Sequence, residues 1–376
     1  MSLQKQGWKQ MKYVFMMTSL GIFGLGCSAS EAPVEIEETQ AQARAITAMD
    51  SPSVGEARAA MAHPDCTYGV QRWGRFDQAG QSNTQNRRKL LEAAAFIGSS
   101  SKSIVLGHAY DEDMPTFPSP ALAGYHLDIP EGTHRAALGT LVAHEELITS
   151  EIGQVGTEID ALGHMCFLHD GASDPSEADC YGGYKERDIY DPKGLLALGV
   201  EHIKPYFTRG ILLDVQRYVN RNRRLAPGTA ITLEMIIQTM DAEHLTIADI
   251  REGDVVLVRT GQEELWKRPD LGDYYGSTPG INLEVAKFFA SRCVGNVGAD
   301  NWPVEVQPSI DGGYVPVHEL NLTVAGLPQQ ENLSLRELSG YLATLHDENR
   351  YIFAYIYTPV PIAGSSGSPG VPLAIR

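Results

Sequence analysis

One stretch of the chain carries oxygen-bearing side chains at even spacing: Gln154-Val155-Gly156-Thr157-Glu158-Ile159-Asp160-Ala161-Leu162-Gly163-His164. In an extended segment successive side chains alternate faces, so Gln154, Glu158 and Asp160 would point the same way. Gly156 lies between them on that face and adds no bulk. His164 follows Asp160 across a predicted turn. Convergent oxygen donors beside an imidazole are typical of a catalytic metal site, and a polar surface strand ending in a turn is the alternative.

The bulk composition limits the classes of protein to which the chain can belong. Its 376 residues are 43% hydrophobic, which is ample for a large core in one or two domains. The formal net charge is -17. A nucleic-acid-binding surface needs clustered Lys and Arg, so this charge argues against a nucleic-acid partner and leaves small-molecule chemistry open.

The N-terminus has the pattern of a targeting segment. Lys5, Lys9 and Lys12 precede a short apolar run over residues 13–25, which is too short and too rich in glycine for a comfortable membrane span. The run ends in Gly24-Leu25-Gly26-Cys27-Ser28 and resembles a bacterial lipoprotein signal, with Cys27 as the lipidated residue. We therefore expect residues 1–27 to be a signal peptide. The protein would be exported to the cell envelope and held at a membrane only by its lipid. A plain secretory signal or an uncleaved anchor is the alternative.

Residues 28–62 are rich in Glu, Ala, Gln and Ser, which predicts a flexible tether before a domain over residues 63–376. Four cysteines remain after Cys27: Cys66, Cys166, Cys180 and Cys293. An exported protein can form disulfides. Cys166 and Cys180 bracket a polar segment, so a bridge between them is one option and buried thiols are the other.

The remainder of the chain alternates between predicted strands and helices. Strands are expected at residues 207–215, 254–259 and 294–297, and helices near 233–240 and 282–291. This alternation favours an α/β or α+β core. A long Gly-, Asp- and Tyr-rich loop over residues 168–193 has the length of a functional cover.

Two further polar residues, His318 and Glu331, lie in apolar surroundings. Spacing alone gives neither a catalytic role. A lone histidine in an apolar segment is usually a satisfied core residue, and a glutamate before a Leu-rich run is usually a helix N-terminal charge.

Several dispersed segments together resemble the cyclase family of metal-dependent hydrolases, which includes bacterial kynurenine formamidase and isatin hydrolase. The family motif is His-x-Gly-Thr-His-x-Asp-x-Pro-x-His, where this chain has Gln154-x-Gly156-Thr157-Glu158-x-Asp160-x-Leu162-x-His164. The resemblance runs over residues 68–376 in the family's order. The other matching segments are residues 73–83, 209–214, 253–259, His318, Glu331-Asn332-Leu333 and residues 367–372.

The resemblance implies a site and a fold. Gln154, Glu158 and Asp160 would form a first metal site, and in members with two metals Asp160 would bridge to a second site completed by His318 and Glu331. His164 matches the histidine proposed as general base or proton shuttle. The family fold is α/β, a swivelling β/β/α arrangement of mixed sheets with flanking helices. Relatives are commonly oligomeric, so a homodimer is expected.

The departures from the family motif bear on the metal and the activity. Gln154 and Glu158 replace both motif histidines, and an oxygen-only first site favours Mn²⁺ or Mg²⁺, whereas His318 suits Zn²⁺ in the second. We expect one or two divalent ions, Mn or Zn. The implied reaction is hydrolysis of a small amide, cyclic amide or lactone, with the arylformamidase step of tryptophan catabolism as the first named candidate. The alternative is a non-catalytic lipoprotein that binds a small ligand in a degenerate cleft.

Overall fold

The structure is a computed structural model that describes residues 52–62, 67–118, 124–130, 144–169 and 171–376. The predicted signal peptide, Cys27, Cys66 and most of the predicted tether lie outside the described residues. In the part of the chain that is described, no helix has the length and apolar character needed to cross a bilayer.

The described chain is a mixed α/β protein, which confirms the predicted fold class. The strands are β1 (Ser103–Val105), β2 (Tyr125–Asp128), β3 (Leu147–Ser150), β4 (Glu158–Asp160), β5 (Tyr206–Leu213), β6 (Ala230–Ile231), β7 (Val255–Val258), β8 (Gly280–Ile281), β9 (Asn296–Ala299), β10 (Gln329–Glu331), β11 (Ile352–Tyr357), β12 (Gly367–Pro369) and β13 (Leu373–Ile375). The α-helices are α1 (Pro52–Ala62), α2 (Val70–Trp73), α3 (Arg87–Ala94), α4 (Glu186–Ile189), α5 (Val215–Tyr218), α6 (Leu233–Ala242), α7 (Leu283–Ser291), α8 (Pro316–His318) and α9 (Arg336–Leu342). A π-helix, Glu319–Ala325, continues directly from α8.

A nine-stranded mixed sheet organises the described residues, in the order β1-β13-β11-β5-β7-β9-β10-β4-β12. The central strands β5, β7, β9 and β10 are parallel, whereas β4 runs antiparallel to both β10 and β12. Two short pairs, β2–β3 and β6–β8, form separate ribbons. The short strand β4, which carries Glu158 and Asp160, is therefore held on both sides.

The core lies around the parallel strands because their sequences are continuously apolar. Residues 255–258 are a run of Val-Val-Leu-Val, and all four side chains are buried. Such runs are typical of parallel strands covered on both faces. Helices α6 and α7 contribute buried side chains to the same cluster, among them Ile236 and Phe288. This rigid centre positions the loops that follow β9 and precede β10.

Residues 52–62 were expected to belong to the flexible tether, but they form helix α1. Val54 and Ala57, three positions apart, are fully buried in the main core cluster. Arg58 pairs with Glu234 at 2.6 Å and with Glu284 at 2.9 Å. Small apolar side chains on one helical face, joined to α6 and α7 by these ion pairs, dock the segment. The folded part of the chain therefore starts no later than residue 52, rather than at residue 63.

Of the two options for Cys166 and Cys180, the structure has the disulfide, with Cα atoms 4.5 Å apart. It closes a loop over a sequence separation of 14 residues. Beside it, Phe167 and Asp179 exchange two backbone hydrogen bonds of 3.0 and 2.8 Å. The disulfide therefore fixes the start of the long loop that begins at residue 168, which the sequence predicted to be a functional cover.

A buried ion pair joins helix α3 to the residue just before strand β7. Lys89 is fully buried, and its Nζ lies 2.5 Å from Oδ1 of Asp254, which is also fully buried. Arg209 lies 3.7 Å from the same carboxylate. The Lys89 ammonium compensates the negative charge of Asp254. If Lys89 were replaced, the buried Asp254 carboxylate would keep only the more distant Arg209 as a cation.

We expect Lys89→Met to destabilise the protein by about 3–5 kcal/mol, the usual cost of breaking a buried pair by removing one partner. Urea unfolding monitored by fluorescence measures this loss. Lys102→Met is the control, because Lys102 and its partner Glu337 are 48% and 60% exposed. That variant should unfold close to the wild-type midpoint. Equal urea midpoints for the two variants would contradict a stabilising role of the Lys89–Asp254 ion pair.

Candidate metal centre

The pairing of β4 with β10 brings acidic side chains together. Glu331 lies directly opposite Glu158, and Gln329 lies opposite Asp160. Side chains directly opposite in an antiparallel pair share a face, and like charges there are destabilising. Glu158 and Asp160 are each only 1% exposed. The fold therefore concentrates buried carboxyl groups at one position of the sheet, which calls for a positive charge.

His318 completes this cluster from helix α8. Its Nε2 lies 3.3 Å from Oε1 of Glu331 and 3.7 Å from Oδ2 of Asp160. One ligand atom from each of Asp160, His318 and Glu331 falls within a group whose members are all within 4.8 Å of one another. These are the residues that the family resemblance assigns to the bridging and second positions.

Glu305 is a residue of the site that the sequence analysis missed. Its carboxylate accepts hydrogen bonds from the backbone N–H groups of Val317 (3.1 Å) and His318 (3.0 Å) and from Nδ1 of His318 (2.5 Å). A histidine whose Nδ1 donates to a carboxylate presents its other nitrogen as a lone pair to a cation. Glu305 precedes His318 by 13 positions in an irregular segment, so no local pattern marks it.

We expect Glu305→Gln to weaken metal binding by about 10- to 100-fold, as is usual when the outer partner of a ligating histidine is changed. The amide can replace only part of the carboxylate, because its NH₂ group cannot accept a backbone N–H. A metal-indicator competition titration measures the affinity. Glu319→Gln is the matched control, because the Glu319 carboxylate lies 3.6 Å from the exposed His169 instead. Equal affinities would contradict the positioning role of Glu305.

Gln154 does not lie on the same extended strand as Glu158 and Asp160, although its even spacing from them predicted this. Strand β4 spans only Glu158–Asp160, so alternation applies to Glu158 and Asp160 alone. Gly156 has φ +68°, which breaks the extended backbone, and a Cβ there would overlap the ring of Tyr110. Gln154 still reaches the site, because its Nε2 donates to Oδ1 of Asp160 at 3.2 Å. Its amide nitrogen therefore faces the carboxylate, and an amide turned by 180° would offer its oxygen.

Electrostatics favours a divalent cation at this cluster. Burial, together with the charges of Asp160 and Glu331, raises the pKa of Glu158 well above its usual range, and Oε2 of Glu158 has no hydrogen-bond partner among the described residues. Burial and Asp160 likewise raise the pKa of Glu331 to about 8, against the opposing effect of His318. A cation among these groups would stabilise their charged forms. The carboxylates and the imidazole of His318 thus fit a hard or borderline divalent ion.

His164 lies next to the cluster. Its Nε2 is 3.6 Å from Oδ1 of Asp160, and its ring centroid is 6.4 Å from that of His318. Burial lowers the pKa of His164 despite the opposing charge of Asp160, and the side chain keeps 20% of its surface exposed. A largely buried, neutral imidazole with one accessible edge can accept a proton from a group bound at the cluster.

Comparison with known proteins places the chain in a family. The Cyclase family model matches residues 104–306, more than half of the chain. The chain belongs to the cyclase family. No curated protein sequence matches it significantly.

Solved structures show the cyclase-family fold. A crystal structure described as a novel cyclase has a TM-score of 0.69 and 24% identity, and the match covers 82% of this chain and 100% of that chain. Isatin hydrolase A from Labrenzia aggregata, bound to benzyl benzoate, has a TM-score of 0.52 and 20% identity, with 73% and 93% covered. Isatin hydrolase A from Ralstonia solanacearum has a TM-score of 0.52 and 18% identity, with 77% and 97% covered.

One cluster of aromatic side chains was not singled out from the sequence. Phe117, Tyr275 and Trp302 form a cluster with ring centroids 5.3–5.7 Å apart. Burial and the negative charges of Glu331 and Glu158 raise the pKa of Tyr275, so its hydroxyl group stays protonated. The three aromatic residues come from separate segments of the chain, so only the fold brings them together.

Proposed function

We propose that the chain is a metal-dependent hydrolase that cleaves a small amide, cyclic amide or lactone. The observation that carries this proposal is the convergence of the buried Asp160 and His318 with the largely buried Glu331, next to His164. Membership of the cyclase family supports the same reaction class. A purely structural cluster would be expected to pair its carboxyl groups with Lys or Arg, but among the described residues the cationic partners of Asp160 and Glu331 are the two histidines His164 and His318.

The ligands in this proposal follow from the geometry. Asp160, His318 and Glu331 would hold a divalent cation, with Glu158 beside them and Gln154 as a further oxygen donor if its amide turned. When bound, the cation would polarise the scissile carbonyl and make a water molecule more acidic. The oxygen-rich donors suit Mn²⁺, and the imidazole of His318 also allows Zn²⁺.

The protein residues supply positioning and proton transfer. Glu305 holds His318 with Nε2 towards the carboxylates. His164 takes a proton at Nε2 from the attacking water and returns it to the leaving nitrogen or oxygen. The nearby Asp160 carboxylate stabilises the imidazolium that forms in between.

For the substrate, an aryl formamide is our first candidate, because that activity is the one the family resemblance names. The isatin hydrolases among the structural neighbours make a cyclic amide an equal candidate, and simple lactones follow from the same chemistry. We retain the proposals of export, a lipid anchor at Cys27 and a homodimer as separate predictions.

Metal content tests the proposed function directly. We expect the purified chain to bind one or two equivalents of Mn or Zn by elemental analysis. Chelation should abolish turnover of N-formylkynurenine, isatin or a simple lactone, and the added metal should restore it. A protein with no bound metal and no metal-stimulated turnover would be the non-catalytic binding protein instead.

A further inference from the structure

A pocket of about 380 Å³ opens beside His164, and we call it the His164 pocket. Its volume lies in the range of small-ligand sites. Described residues of the long loop after the motif line it. Besides His164, the residues that shape its apolar surface are Phe167, Leu168, Ile189, Tyr190 and Leu195.

The lining of the His164 pocket is mostly apolar and carries few ionisable groups. His164 and Glu186 are the only acidic or basic side chains among the lining residues apart from the phenol of Tyr190. Neither Lys nor Arg contributes to it. A substrate carboxylate would therefore find no cation in the pocket, whereas a neutral ring or short alkyl group would be favoured by burial against the apolar side chains.

The mouth of the pocket is also apolar. Leu168 is 40% exposed and Tyr190 is 59% exposed. Both belong to the pocket lining rather than to the general surface. Exposed apolar side chains grouped at a concave site are typical of ligand contact.

The disulfide braces one wall of the pocket. Cys166 itself lines the pocket, and it precedes Phe167, whose backbone pairs with that of Asp179 next to Cys180. Ala178, on the other side of Asp179, also lines the pocket. The covalent bridge thus sets the spacing of two segments that both contact the cavity.

We propose that the His164 pocket binds the neutral apolar part of the substrate, and that the Cys166–Cys180 disulfide holds its wall in the binding shape. The proposal rests on the proposed function, because it places that apolar group within reach of the proton-transferring His164. It assigns specificity for neutral aryl or short alkyl substrates to the described residues of the segments 163–169 and 171–195. The aromatic cluster at Tyr275 is a separate region.

Binding of benzamide to the metal-loaded full chain tests the pocket without turnover. We expect calorimetry to give an affinity for benzamide about 10- to 100-fold above that for acetamide, because the ring is buried. In crystals soaked with 4-bromobenzamide, bromine density should lie between Phe167 and Leu195. Equal affinities, or bromine density only against Phe117, Tyr275 and Trp302, would overturn the proposal.

Two exposed leucines, one that lines the pocket and one that does not, test whether benzamide binds in the His164 pocket. Leu168→Asp places a charge at the mouth and should weaken benzamide binding about tenfold or more, because a charge opposes transfer of an apolar group. Leu196→Asp is the control, because Leu196 is 68% exposed and is not among the lining residues. Equal binding by the two variants would overturn the proposal. Metal content is measured in parallel. If protein without bound metal still bound benzamide, the pocket proposal would stand and only the proposed hydrolase function would be refuted.

The role of the disulfide has its own test. The double variant Cys166→Ser, Cys180→Ser should bind benzamide about 2- to 10-fold more weakly, because the wall must be ordered on binding. Circular dichroism and metal content confirm that the variant is folded. If it does not fold, the double variant Cys166→Ala, Cys180→Ala is compared instead, because chemical reduction would also reach the disulfide of Cys293. Unchanged affinity in folded, bridge-free protein would overturn the bracing role.

Discussion

Replacing Asp160 with Asn should remove the bound metal and lower kcat/KM by more than about 10³-fold, beyond the 10- to 100-fold that loss of an outer partner costs. Asp160 contacts both halves of the site. Its Oδ1 lies 3.2 Å from Gln154 and 3.6 Å from His164, and its Oδ2 lies 3.7 Å from His318. Asn keeps the size and shape of the side chain but loses the negative charge, so steric disruption would be minimal.

Elemental analysis and turnover measured on the same preparation check this expectation. Asp270→Asn is the control, because it makes the same chemical change at an exposed residue that pairs only with Arg268 among the described contacts. The control should retain both metal and activity. If Asp160→Asn retained metal and normal turnover, the carboxylate cluster would not be the metal centre.

The part of this site that could be predicted from the sequence alone is the local part. Glu158 and Asp160 are two positions apart, and the strand that contains them presents both as expected. Glu331 joins them only because β10 pairs with β4 in a particular register, which no local pattern specifies. The family resemblance predicted Glu331 and His318 as site residues. It could do so because family motifs reflect which residues meet in the folded protein, whereas spacing along the chain does not.

The features that residue spacing explained incorrectly or did not indicate have physical reasons of their own. Gln154 was assigned by alternation, but the positive φ of Gly156 turns the backbone before β4 begins. Glu305 acts through His318 and lies in an irregular segment, so neither periodicity nor a motif could mark it. Residues 52–62 were assigned to the tether for their few large apolar groups, but burial of Val54 and Ala57 with the ion pairs of Arg58 suffices to dock a helix.

The strongest test of the proposed proton transfer is His164→Ala. We expect turnover to fall by about 10²- to 10⁴-fold, the usual contribution of a general base. The bound metal should stay, because the grouped ligand atoms come from Asp160, His318 and Glu331. The side chain is only 20% exposed, so unfolding by urea is compared with wild type to exclude a stability effect.

Metal retention decides between two roles for His164. A base lost from an intact centre gives a protein with full metal content and slow turnover, whereas a lost ligand gives a protein depleted of metal. His126→Ala is the control, because His126 is 58% exposed on the separate β2–β3 ribbon. It should match the wild type in both measurements. Depletion of metal in His164→Ala alone would make His164 a ligand, because its Nε2 already lies 3.6 Å from Asp160 and a small rotation would direct it at the same cation.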